Sequence, residues 1–160
     1  MRTSQKGKDL IRQFEDRAGF ERGACSHCDA YQDAGGVWTV GWGTTHGVMA
    51  GVKITPAMAD DLLDAHLAKL ERELEEVFAG VELTQGQWDA LVSLTYNLKG
   101  GPRALAKTAP KLVAAIRERR RLDAAREFLD INKAAGKPLA GLTRRRQAEA
   151  NLFLEIEEAV

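Results

Sequence analysis

Apolar residues first return at helical spacing in KDLIRQF, where Leu10, Ile11 and Phe14 share a face; this predicts a short opening helix with Glu15 at its end. Between Gly19 and Gly51 the pattern changes. Glycines recur every few positions, and Tyr31, Val37, Trp38, Thr39, Val40 and Trp42 favour extended backbone, so small strands and tight turns are expected. Thr55-Pro56 marks a helix start: the hydroxyl caps free amides, and proline sits in the first turn, where its missing N–H costs nothing. Leu63, Leu67, Leu70, Leu74, Val77 and Phe78 then keep helical spacing up to Gly80. A helix over 56–79, about 24 residues and about 36 Å long, follows, and that length suits a link between two lobes. Thr84-x-x-Gln87 is a capping box ahead of an apolar face of Trp88, Leu91, Val92 and Thr95. Further helical patterns cover 112–120, 122–131 and 143–157, with breaks at 100–102 and 136–138.

Composition narrows the class. At 160 residues the chain supports one core, or two small lobes sharing a helix. With 44% hydrophobic and 29% charged residues it is too apolar for a disordered chain. No apolar run approaches the roughly 20 residues needed to cross a bilayer, and MRTSQKGKDL lacks the apolar core of a signal peptide, so no membrane insertion is expected and export would need outside help. The formal net charge is zero, but 56–89 holds nine acids and two bases whereas 99–147 holds fourteen bases and four acids. Such a basic half favours an anionic partner, a bacterial wall or a nucleic acid. Arg117, Arg119, Arg120 and Arg121 cluster without a binding motif or a basic-aromatic platform, so no nucleic acid is expected.

Two acids stand apart from ordinary solvated-face residues. Glu15 ends a helix with an apolar face, and Asp33 opens the glycine-rich stretch AYQDAGGVWTVGWGTT. Each has a plain reading, a helix-end charge for Glu15 and a turn-forming aspartate before Gly35-Gly36 for Asp33. As a pair they fit glycosidic hydrolysis, which needs a proton for the leaving oxygen and help for a nucleophile or a water.

The segments LIRQFE, AYQDAGGVWTVGWGTT, LTQGQWDALVSLTYN and GLTRRRQAE, in this order and spacing, resemble the phage lysozyme or endolysin family, glycoside hydrolase family 24. The resemblance implies an α+β, lysozyme-like fold, mostly helical. A small lobe with a β-hairpin over about 15–55 would be joined by the 56–79 helix to a helical lobe over about 80–160, which also takes the opening helix; the whole chain would be one catalytic domain. It implies that Glu15 is the general acid, Asp33 the base that activates water, and Thr39 the residue that positions that water, with inversion at the anomeric carbon. Thr45, Tyr96 and Asn97 fall where cleft-lining contacts are expected, although Tyr96 and Asn97 equally suit a helix end and its capping bonds. Trp38 and Trp42 fit sugar stacking or hairpin core equally. Arg145 and Arg146 match the family's arginine pair, from which the resemblance implies that one arginine approaches the catalytic glutamate; a solvated basic helix face is the other reading.

The pattern departs from the family in two places. The stretch DRAGFERGACSHCDAYQD holds about nine extra residues, expected to bulge at the surface because loop entropy rises slowly with length. Thr44 in GWGTTHG stands where many relatives carry histidine. Cys25 and Cys28 bracket Ser26-His27, half a metal site without a second half, so no cofactor or metal is expected and reduced thiols come first. The function expected is that of a muramidase cutting the β-1,4 bond between N-acetylmuramic acid and N-acetylglucosamine for host lysis. It would be a monomer made in the host cytoplasm and released to the wall through a holin. The alternative is a lysozyme-like module that grips peptidoglycan without cutting it.

Overall fold

The computed structural model describes residues 1–155. Among them the chain forms eight α-helices and two small β-hairpins, and it divides into two compact units, residues 9–69 and residues 1–8 with those from Leu70 onward. Helices α1 (Gln5–Glu15) and α3 (Pro56–Val77) each contribute residues to both. No helix of the described residues is long and apolar enough to cross a membrane.

In the smaller unit α1 buries Ile11 completely and ends on Glu15. The stretch rich in extended-backbone residues yields only two-residue strands, β1 (Tyr31–Gln32) and β2 (Trp38–Thr39), antiparallel with Tyr31 opposite Thr39 and Gln32 opposite Trp38. A second tight turn follows, in which Val40 and Thr44 exchange both backbone hydrogen bonds at 2.9 Å. Gly41 in that turn has φ +65, and a Cβ there would lie 3.3 Å from the Ala59 methyl, so the turn lies close upon α3. Asp60 on α3 secures the base of the hairpin. Its Oδ1 accepts from the Trp42 indole at 2.8 Å and from Arg12 at 2.9 Å, and the Arg12 guanidinium lies over the Trp42 ring at 5.5 Å.

The stretch between Glu15 and the hairpin has local structure of its own. It forms helix α2 (Arg17–Arg22), capped by Asp16 and closed by Gly23 in the left-handed conformation, φ 77. Asp16, Gly19 and Cys25 are buried within it, because the Asp16 carboxylate gathers donors from both ends of the segment: Gly19 N at 2.9 Å, Ser26 N at 2.6 Å and the Ser26 hydroxyl at 2.8 Å.

Helix α3 starts at Pro56, as the Thr55-Pro56 pair predicts, with Met58 N donating to the Thr55 hydroxyl at 3.1 Å, and it ends two residues earlier than the 56–79 expected. In the larger unit, α4 (Gln85–Asn97) begins with the capping box read at Thr84 and Gln87 and is buried continuously from Trp88 to Thr95. It packs on α8 (Ala140–Leu154) so closely that a Cβ on Gly86 would lie 2.7 Å from the Leu152 carbonyl oxygen. A 3-10 turn (Pro102–Ala104) and α5 (Leu105–Thr108) occupy the first break, and α6 (Pro110–Arg117) and α7 (Arg121–Asp130) complete the helical layer. The second break is a hairpin, β3 (Lys133–Ala134) with β4 (Lys137–Pro138). The end of the helix expected over 143–157 lies outside the described residues.

Candidate active site

Glu15, Asp33, Thr39 and Thr45 lie in the smaller unit, Tyr96 and Asn97 in the larger. Glu15 is half-buried at the carboxyl end of α1. Asp33 is exposed at the tip of the hairpin, where it takes the turn-forming role. Its Oδ1 accepts from Gly35 N at 2.8 Å and Val37 N at 2.9 Å, tying the turn, while no described residue donates to Oδ2, which is left to solvent. One oxygen fixes the side chain and the other stays available.

Thr39 is 4% exposed on β2, and its hydroxyl donates to the Val37 carbonyl at 2.9 Å, leaving oxygen lone pairs to accept from a further group. Tyr31 lies directly across the hairpin from Thr39. Burial is the first cause that pushes its phenol upward, followed by the charges of Glu15 and Asp33, then Asp16 and Cys25.

Thr45 is exposed and lines a cleft of about 420 Å³ with Thr44, His46, Leu62, Ala65, His66 and Lys69. The Thr44 hydroxyl, at the position noted as a departure from the family pattern, is buried without a hydrogen-bond partner. Trp42 is 2% exposed and belongs to the core; Trp38 is half-buried on β2.

Asn97 closes α4, and its side-chain oxygen accepts from Arg146 at 2.8 Å; Tyr96 beside it is half-buried. Arg146 belongs to a buried cluster that sequence reasoning missed. Glu149, fully buried, accepts from the Ser93 hydroxyl at 2.6 Å and from Arg145 at 3.2 Å. Arg146 Nε lies 2.9 Å from its other oxygen, close enough for an ion pair but off hydrogen-bonding alignment. Burial pushes the Glu149 carboxyl upward, opposed by Arg146, Arg145 and the Ser93 hydroxyl. The signal was available: in RRRQAE, Glu149 falls three and four residues after Arg146 and Arg145, on one helical face.

Cys25 and Cys28 are both free thiols, and Cys28 Sγ points at the Cys25 carbonyl at 3.7 Å. No group of three or more metal-binding side chains gathers among the described residues. The arginine cluster is engaged locally: Arg117 donates to the Val77 carbonyl, Arg119 to Glu82, Arg120 to Glu118 and Asp123, and Arg121 to the Glu155 carbonyl.

A family model described as phage lysozyme matches residues 23–149, a span that contains Asp33 and Thr39 and begins after Glu15. The endolysin of Acyrthosiphon pisum secondary endosymbiont phage 1 is 35% identical over 157 residues, covering 96% of this chain and 98% of the relative. A SAR-endolysin of Haemophilus phage HP1 is 32% identical over 131 residues, covering 78% of this chain and 70% of its own. Among solved structures, an endolysin from Escherichia coli O157:H7 phage FAHEc1 superposes with a TM-score of 0.79 at 30% identity, covering 97% of this chain and 94% of that one.

Proposed function

The chain belongs to the phage lysozyme family, and from that membership we infer that it is an endolysin-type muramidase that hydrolyses the β-1,4 bond between N-acetylmuramic acid and N-acetylglucosamine in peptidoglycan. Glu15 delivers the proton to the departing sugar oxygen. Asp33 takes a proton from water through the oxygen that the turn leaves unused, and Thr39 accepts a hydrogen bond from the same water. The half-buried Glu15 and the exposed Asp33 have the division of environment that separates a proton donor from a base. A water admitted between Asp33 and the sugar attacks from the face opposite the leaving group, so the product is inverted.

The single observation that carries this reading is Asp33 itself, held by one oxygen and open at the other. Thr45, Tyr96 and Asn97 contact the glycan. The enzyme acts as a monomer without cofactor. It is made in the host cytoplasm and works in the periplasm and wall after release through a holin, where its polymeric substrate lies.

The test is release of soluble muropeptides from purified peptidoglycan. Glu15→Gln and Asp33→Asn are each expected to lower kcat by roughly 10²–10⁴-fold. A Glu15→Gln enzyme as fast as wild type overturns the acid assignment, and an inactive wild type points to the binding module instead. A retained anomer on the first released sugar overturns inversion.

A further inference from the structure

The inserted segment carries a side chain that the reading above does not use. Its backbone is fastened beside the hairpin: the His27 carbonyl accepts from Gly41 N and the Cys28 carbonyl from Ile54 N, both at 2.8 Å. With the main chain held there, the His27 imidazole lies on the Tyr31 ring, centroids 4.6 Å apart and planes tilted by 36°. Its Nε2 stands 3.9 Å from Oδ1 of Asp16, the residue directly after Glu15. Tyr31 faces Thr39 across the hairpin and feels the charges of both Glu15 and Asp33. One imidazole therefore touches the ring of the residue paired directly with Thr39.

We propose that His27 is a positioning residue for the hydrolysis, holding the Tyr31 ring and, through it, the register of the strand that carries Thr39. The proposal rests on the Glu15 and Asp33 reading. The physical need is clear from the strands, which pair over only two residues each. A two-stranded ribbon is marginal by itself, so side-chain contacts must keep its register, and a stacked ring contributes to that. The titratable groups in contact with His27 include Asp16 from the junction of α1 and α2, Cys25 from its own segment, and Tyr31 from β1. Of these Asp16 is the one carboxylate, and it stands near the imidazole in addition to the Tyr31 ring.

A double-mutant cycle tests this, with kcat and KM measured on purified peptidoglycan for His27→Ala, Tyr31→Ala and the double variant, and for His27→Phe, which keeps a ring against Tyr31. A small misplacement of reacting groups costs rate rather than affinity, so His27→Ala should lower kcat roughly tenfold with KM within about twofold. His27→Phe should recover kcat to within about threefold of wild type, and the double variant should lose no more than Tyr31→Ala alone. His27 is a third exposed, so truncation leaves no large buried gap. The proposal is overturned by a wild-type kcat in His27→Ala, by effects that multiply in the double variant, or by a His27→Phe no better than His27→Ala. Glu15→Gln, assayed alongside, separates the two levels: if it is inactive, those outcomes overturn the proposal alone; if it is active, the underlying reading falls and takes the proposal with it.

Discussion

Replacing Asp16 with alanine removes the acceptor on which the inserted segment closes. Two backbone donors, Gly19 N and Ser26 N, and the Ser26 hydroxyl all converge on this carboxylate. Losing the cap of α2 costs about 1 kcal/mol, and leaving the second backbone donor without an acceptor costs about 1–3 kcal/mol, while the hydroxyl can turn toward water. The sum, about 2–4 kcal/mol, corresponds to a fall in Tm of roughly 5–15 °C for a chain of this size. The effect has a pH signature. Burial acts to raise the Asp16 carboxyl, but the hydrogen bonds from Ser26 and Gly19 and the neighbouring His27 outweigh it and hold the group below its ordinary 3.8. A folded value below the unfolded one means the stabilisation is fully present above about pH 4 and is lost as pH falls through the depressed folded value. Unfolding followed by circular dichroism at pH 7, 5 and 3 reads both parts: the gap between wild type and Asp16→Ala should be full at pH 7 and 5 and should narrow at pH 3. Asp16→Asn, which keeps the shape and one acceptor oxygen, should fall between the two. A gap under about 0.5 kcal/mol at pH 7 would refute the argument, as would one that widens toward low pH.

Glu149→Ala leaves the buried Arg145 and Arg146 without their shared carboxylate and should cost about 3–5 kcal/mol in urea unfolding; a loss below about 1 kcal/mol would show that the cluster is hydrated or rearranges freely. Burial pushes the Cys25 thiol up to about 11, whereas Cys28 is only half-buried. Brief iodoacetamide treatment at pH 8 should therefore label Cys28 at least roughly tenfold faster than Cys25, as read by peptide mass spectrometry. Equal rates would contradict the burial.

The larger elements were legible because local chemistry and long-range packing agree in them. Thr84 and Gln87 announce a helix start, and the cap they form is the one read from the sequence. Leu63, Leu67, Leu70 and Leu74 keep their period because all four are buried. The hairpin around Gly136 was read only as a break. Its strands are two exposed residues each, and no apolar alternation marks them. Asp33 was legible as a turn former or a base, but sequence does not show that the turn engages only one of its two oxygens. Asp16 was passed over because Glu15 beside it drew the chemical argument, although Asp-x-x-Gly ahead of RAGFER is a capping signal in plain view. Glu149 shows the other limit. Its spacing from the arginines is written in the chain, but its burial depends on α4 and Ser93, distant in sequence.

The joint of Asp60 with Arg12 and Trp42 has a consequence for how such chains vary in length. Arg12 precedes Glu15 and Trp42 follows Thr39, so one carboxylate on α3 grips the chain on either side of everything between them. Residues added inside that span stretch a loop whose two ends are already moored. Doubling the length of a flexible loop costs only about 0.6 kcal/mol. New material can therefore be spliced in at this point without moving its attachments, and what it brings to the hairpin is decided by its side chains rather than by its size.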